Sequence, residues 1–357
     1  VNEERGADVI IVGAGLAGLT AASLLVRADR RVIVLEASAR PGGRIQSLIE
    51  PTTGRVLGDL GPSWVWPPFQ PIVAEWLKDL GAGTFDQYNT GNAVLDYGPG
   101  QPVQHQPLPG QHGMMRIDGG PQALVDGLLA KLPAGVLRTG QSVTSISQDA
   151  SGVQVETPAE LFSASHVIVA APLRVARNSI RFSPALPDEL VREIEATPTW
   201  MAVHAKALAV YEKPFWREAG LTGRIASRAG PLVEAHDLCG AHGRPAALFG
   251  FVGWPHEVRE QHRPHLKDAI IAQLVRCFGG RAANPVHLHV EDWAMNPHIC
   301  SPLDRAGAMP HPDVRSPLLR RAYGRTQFAV SETSDISPGL IEGAFASGMR
   351  AASLLAS

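Results

Sequence analysis

The stretch Val9-Ile10-Ile11-Val12-Gly13-Ala14-Gly15-Leu16-Ala17-Gly18 leaves few folds open. Four β-branched residues predict a strand over 8–13, three spaced glycines predict a tight turn, and the Ala- and Leu-rich continuation predicts a helix over 16–28. Val9 to Val26 carries no charge, which also suits a membrane span or a secretory signal core. The glycine spacing and the switch from β-branched residues to Ala and Leu favour strand, turn and helix. No second long apolar run follows, and no tail anchor is expected after Leu354-Leu355.

A second strand over 31–35 completes a βαβ unit and ends at Glu36. In such a unit the glycines let backbone N–H groups and the helix N-terminus meet a pyrophosphate, and the acid accepts from a ribose hydroxyl. Gly13, Gly15, Gly18 and Glu36 are therefore candidate dinucleotide-binding residues.

The 357 residues suffice for two domains. Against 32 Lys and Arg stand 34 Asp and Glu, a balance that argues against a nucleic-acid binder. Cys239, Cys277 and Cys300 have no CxxC spacing, so neither a disulfide framework nor a zinc site is indicated, and a cytoplasmic location is expected. His287 with His289, and His256 with His262 and His265, lack a diagnostic carboxylate arrangement, so no metal is expected.

Further elements are predicted as helices over 72–80, 123–132 and 264–278, a hairpin over 142–155, and strands over 166–171, 203–211 and 286–290. Between Gly98 and Gly113 half of the sixteen residues are Gly or Pro, which predicts a long irregular loop, either a lid or a plain crossover.

Arg40-Pro41-Gly42-Gly43-Arg44 follows the acid, a segment that plain nicotinamide enzymes do not need. It resembles the RxGGR that extends the fingerprint of the flavin-containing amine oxidase family. Gly42 and Gly43 allow close backbone approach to an extended dinucleotide, and Arg44 can neutralise a diphosphate. The family often has Arg where Ser38 stands, which implies one phosphate contact fewer.

The resemblance continues along the chain. Gly58-Asp59-Leu60-Gly61-Pro62-Ser63-Trp64 is similar to DLGGSW, whose backbone passes the flavin, and Asp118–Leu124 is similar to DGGMQAL. Phe328–Thr333 and Gly339–Ala344 resemble FAGxET and GYxEGA. The resemblance implies non-covalent FAD held by Gly61, Ser63, Val143, Trp293, Ser331, Glu332 and Ile341 as well as the fingerprint residues. Where some members attach flavin covalently this chain has Pro302, two places after Cys300. The implied fold is α/β, a Rossmann-like FAD-binding domain (1–70, 112–195 and 294–357) interleaved with a mixed-sheet substrate domain (71–111 and 196–293).

Lys206 lies ten residues ahead of Trp216 and its neighbour Phe215, and so resembles the family lysine that holds a water against flavin N5. It is the candidate catalytic residue. Of the family's two substrate-facing rings, one falls at Leu340 and the other, counted from Trp293, at Leu303. That implies an apolar slot, with Trp64 and Trp66 as replacement walls. His298, Asp304, Arg305 and His311 are unranked candidates for a polar substrate group. A long helical insertion common in the family is replaced by residues 98–113, so the cavity is open, lid-gated or completed by another subunit in a homodimer.

The expected activity is oxidation of a small amine with oxygen as acceptor. The alternatives are a dehydrogenase, desaturase or renalase-like flavoenzyme acting on a larger or non-amine molecule, or a non-catalytic FAD-binding protein.

Overall fold

The computed structural model describes residues 6–307, 311–313 and 316–356. The first residues of the expected segment 1–70, and 308–310, 314–315 and Ser357 of segment 294–357, lie outside them. The fold is mixed α/β, built on two large sheets.

The predicted βαβ unit is present as strand Gly6–Val12, helix Leu16–Arg27 and strand Val32–Leu35. Strand Gly6–Val12 sits inside an eight-stranded sheet, parallel to Leu161–Val169 on one side and to Val32–Leu35 on the other. Its alternate side chains feed two cores. Val9 and Ile11 pack with Leu19, Ala22 and Phe345 under the helices, while Ile10 and Val12 pack with Val155, Phe162 and Val167 on the opposite face. Burial on both faces explains the unbroken apolar run. Gly18 permits helix and turn to touch, since a Cβ there would fall 2.1 Å from the Gly13 carbonyl oxygen.

The second sheet has seven strands, in the order His287–Asp292, Ala205–Tyr211, Ala246–Val252, Leu232–Asp237, Leu221–Ser227, Asn92–Asp96 and Gln104–Gln106. It is antiparallel except where Asn92–Asp96 joins Leu221–Ser227 in parallel. Ala205, Ala207 and Ala209 face the helix Arg263–Phe278, packing with Leu266, Ile270 and Leu274. Leu208 and Val210, two and four residues past Lys206, face the other way and pack with Leu57 and Leu60 of the first half of the chain. The period-two alternation of a strand thus turns Lys206 toward the segment that carries Leu57 and Leu60.

Three expectations change. The strand over 166–171 is longer, Leu161–Val169, because Phe162 and Ala164 already alternate into the core. Residues 98–113 are not irregular throughout: Gln104–Gln106, fully exposed, forms the sheet's edge against Asn92–Asp96. Helix Pro71–Asp79, expected in the substrate domain, buries Val73, Trp76 and Leu77 in the core of the first sheet, and Trp76 stacks on Phe345 with ring centroids 5.1 Å apart. Among the described residues no helix is long and apolar enough to cross a membrane.

Candidate functional site

Between the two sheets lies a cavity of about 840 Å³. Its wall includes Gly13, Gly15, Glu36, Gly42, Gly43, Arg44 and Val143, and continues through Gly61, Ser63, Trp64, Trp66, Lys206, Trp293, Ser331, Leu340 and Ile341. One space thus collects candidates from every part of the chain.

At the glycine turn, Gly15 is the N-cap of helix Leu16–Arg27, no side chain caps it, and no acid occupies the first turn. A Cβ at Gly15 would meet nothing within 4 Å, so the turn opens onto the cavity. Uncapped N–H groups at a helix start favour an anion there. Beside it Glu36 is buried, and its carboxylate accepts from Ala14 N at 2.7 Å, Ser38 N at 2.9 Å and Ser38 Oγ at 2.6 Å. A carboxylate carries about four acceptor sites, so one remains for a hydroxyl from the cavity. The cradle fits a dinucleotide.

Both arginines of the RxGGR segment are engaged within the protein. Arg40 donates to the carbonyls of Pro41, Gly43 and Ile45 and to Gln46, locking the loop. Arg44 reaches the cavity wall but is not free to neutralise a diphosphate alone. Its guanidinium pairs with both oxygens of Glu332 and donates to Ser331 Oγ and the Trp200 carbonyl. Burial pushes the Glu332 carboxyl up, but the Arg44 charge and the donors around it outweigh burial and hold it below the usual range.

Lys206 is 3% exposed. Its Nζ donates to the Gly61 carbonyl at 2.8 Å and to Ser63 Oγ at 2.7 Å, and lies 4.1 Å from the centroid of the Phe249 ring. Burial pushes the ammonium down to about 7, with Asp59 acting to raise it and Arg116 to lower it. A lysine so placed gains or loses its proton in the neutral range. The Trp293 indole donates to the Leu60 carbonyl at 3.1 Å, fixing the same segment from the other side.

The helix Ile341–Ser353 likewise begins at the cavity with no side-chain cap, and its own first-turn acid turns away. Glu342 accepts from Val73 N at 2.7 Å and Ile72 N at 3.2 Å, capping helix Pro71–Asp79 instead. The positive end of Ile341–Ser353 is thereby left facing the cavity.

Three candidates do not line the cavity. Gly18 serves helix packing, Glu332 stands behind Arg44, and Leu303 is 45% exposed on the short helix Pro302–Ala306. The ungapped count from Trp293 runs through two separate helical turns, Trp293–Met295 and Pro302–Ala306, and in the second Leu303 faces solvent while Asp304 is buried. Of the unranked polar candidates, His298 lines the cavity. Asp304 instead caps Pro302–Ala306 and pairs with Arg174 at 2.9 Å, Arg305 donates to the Ala294 carbonyl, and His311 packs on Trp200.

Phe249, Phe251, Trp200, Met201, His204 and Asn296 also line the cavity and escaped the sequence reading. Phe249-Gly250-Phe251 carried a usable signal. Two rings at period two lie on one strand face, and Phe251 pairs directly with Lys206. No residue of 98–113 lines the cavity.

Comparison with known proteins agrees with this geometry. Residues 101–356 match the family described as Flavin containing amine oxidoreductase, and residues 11–80 match the NAD(P)-binding Rossmann-like domain. The probable flavin-containing monoamine oxidase A of Dictyostelium discoideum is 23% identical over 96% of this chain and 96% of its own length. That alignment extends over 458 positions, so the relative carries segments that this chain does not. A putrescine oxidase variant (22% identity, TM-score 0.80, 98% of this chain and 99% of that one) has the same fold. So does the cyclohexylamine oxidase of Brevibacterium oxydans IH-35A (20% identity, TM-score 0.81, 98% of each chain). The chain belongs to the flavin-containing amine oxidoreductase family and is a flavin-dependent oxidoreductase.

Proposed function

We propose that the flavin is FAD, held without a covalent bond, and that the chain oxidises a small amine with molecular oxygen as acceptor. FAD held there would supply a two-electron oxidation of the C–H beside the substrate nitrogen, by hydride acceptance at N5, with oxygen as final acceptor giving hydrogen peroxide and the resulting imine lost to hydrolysis.

The observation that carries this reading is Lys206, buried on the wall of the cavity that also holds the dinucleotide cradle. Glu36 and Val143 would hold the adenosine, Gly13, Gly15 and Gly43 the diphosphate, and Ser331, Trp293 and Ile341 the ring system. Lys206, fixed by Gly61 and Ser63, would hold a water and carry its proton. Trp64, Trp66 and Leu340 keep the substrate end apolar and so favour an uncharged amine at the moment of oxidation. Cys300 supports non-covalent binding: it is buried, burial pushes its thiol up to about 11, and it is off the cavity wall.

Leu340, standing where the resemblance implies an aromatic ring, favours a second reading, a dehydrogenase or desaturase acting on a larger or non-amine molecule. The deciding experiment mixes the holoprotein anaerobically with primary amines, polyamines and amino acids while flavin absorbance is followed. Bleaching by an amine, reversed with peroxide release on admitting air, is the expected result. Bleaching that air does not reverse points to a dehydrogenase. A flavin that dithionite reduces and no amine bleaches would remove the amine reading.

A further inference from the structure

Off the cavity wall, two more ionisable groups are buried. Asp59 ends strand Val56–Asp59 and is 1% exposed; Arg116 lies in strand Met115–Ile117 and is 5% exposed. Asp59 Oδ2 and Arg116 Nη2 are 3.4 Å apart, and Arg116 Nη1 also reaches the Cys239 carbonyl at 3.4 Å. Neither residue is fully satisfied: Asp59 Oδ1 and Arg116 Nε have no hydrogen-bond partner.

The partners of Lys206 give this cluster its meaning. Both acceptors on Nζ are uncharged, a carbonyl and a hydroxyl. Its in-register neighbour Glu291 is within 3.4 Å of Gln46 and 3.2 Å of His289, and His236, which stacks on Phe249, is bonded to Glu234. Asp59 begins the segment whose Gly61 and Ser63 hold Nζ, its charge acts to raise the lysine, and Arg116 pairs with it. An arginine keeps its proton at every accessible pH, whereas burial pushes the Asp59 carboxyl up and Arg116, ahead of Lys206, acts to draw it back down, so the one buried anion depends first on the arginine. A second buried cation has no anion left.

We propose that Arg116 is a positioning residue for Lys206: by engaging Asp59 in a buried ion pair it keeps that carboxylate from claiming the lysine, and leaves Lys206 free to hold or release its proton at the cavity wall. The inference deepens the proposed function, because it rests on Lys206 as the group that handles the proton. It gives a reason for a buried ion pair behind the cavity, where apolar packing would be as stable.

The chain holds five lysines, so carbon-13 labelling at lysine Cε gives a readable spectrum, in which Lys206→Met identifies the Lys206 signal. The expected result on the holoprotein is a neutral-range titration of Lys206 in the parent. Arg116→Gln moves the midpoint up by about one to three pH units, and Asp59→Asn moves it down by a similar amount. Arg116→Lys restores a midpoint near the parent's. The pH profile of anaerobic flavin reduction by an amine moves in parallel. An unmoved midpoint in Arg116→Gln overturns the proposal; should that variant not fold, an unmoved or raised midpoint in Asp59→Asn does so. The titration needs no substrate. Its failure therefore leaves the amine reading standing, whereas a moved titration with no amine oxidised removes that reading and keeps the charge assignment.

Discussion

Arg44 and Glu332, 288 residues apart in the chain, meet in a double hydrogen bond, Nη1 to Oε1 at 2.6 Å and Nη2 to Oε2 at 3.0 Å. Trp200 joins them, its N–H donating to Glu332 and its carbonyl accepting from Arg44. One ion pair thus pins the loop after the βαβ unit, the segment entering Lys206's strand, and the turn before the last helix.

Removing one member strands the other. Glu332→Gln should cost about 3 kcal/mol of stability, since the Arg44 guanidinium is then left without its counter-charge in a largely buried site. Because the Glu332 carboxyl is held below its ordinary value, the pair's contribution is present above about pH 4.5 and fades as pH falls through the lowered value. Urea unfolding at pH 7 and pH 4 measures both. A variant as stable as the parent at pH 7 would show that the pair does not hold these segments.

The pH dependence of Lys206 follows from its burial. With a folded value near 7 and an unfolded value near 10.5, the unfolded chain binds the extra proton between those limits, so this residue's contribution to stability rises with pH across that window. In Lys206→Met that slope disappears and flavin stays bound. Amine-dependent flavin reduction should rise through an inflection near pH 7 in the parent and lose it in the variant. Parent-like rates and profile in Lys206→Met would reduce the residue to a packing role.

The glycine turn, Glu36 and the two flanking strands were legible because a parallel βαβ unit writes its geometry into adjacent residues: apolar on both faces, glycine where backbone must approach, acid at the strand end. Lys206 needed the resemblance, since an isolated strand lysine reads equally well as a surface group. What stayed hidden depends on long-range pairing. That Arg44 turns to Glu332, that Glu342 caps a helix 269 residues earlier, and that Phe251 sits opposite Lys206 are facts of register and chain return. Leu303 shows the converse error, a count along the chain extended across the break between two short helices.

Glu36 holds Ala14 and Ser38 as well as facing the cavity, so Glu36→Ala should loosen the turn and lower flavin occupancy together. The ratio of flavin absorbance to protein absorbance after gel filtration reads this directly. Acid denaturation of the parent should release all flavin into the filtrate. A variant that keeps full occupancy removes the ribose assignment, and colour retained on the polypeptide removes non-covalent binding.

The charges on the cavity wall set the last expectation. Among the described residues the wall has one carboxylate, Glu36, whose oxygens already take three hydrogen bonds beside the glycine turn. The acids behind the wall, Asp59 and Glu332, are paired with Arg116 and Arg44. Phe249 and Phe251 stand beside Lys206, Trp64 packs on Phe249, and Trp66 and Leu340 share the same wall; none carries the negative charge that would offset desolvation of a second ammonium. Pentylamine and putrescine have similar length and differ in whether the far end is a methyl or an ammonium. Pentylamine should therefore reduce the flavin at least ~100-fold faster, the equivalent of about 3 kcal/mol in the barrier. Asn296 lies on the wall with its Oδ1 accepting from His298 N at 3.0 Å, so Asn296→Asp adds a carboxylate at nearly constant volume and should narrow the ratio in putrescine's favour. Putrescine reacting as fast as pentylamine in the parent would mean that an anion reaches the substrate from outside this wall.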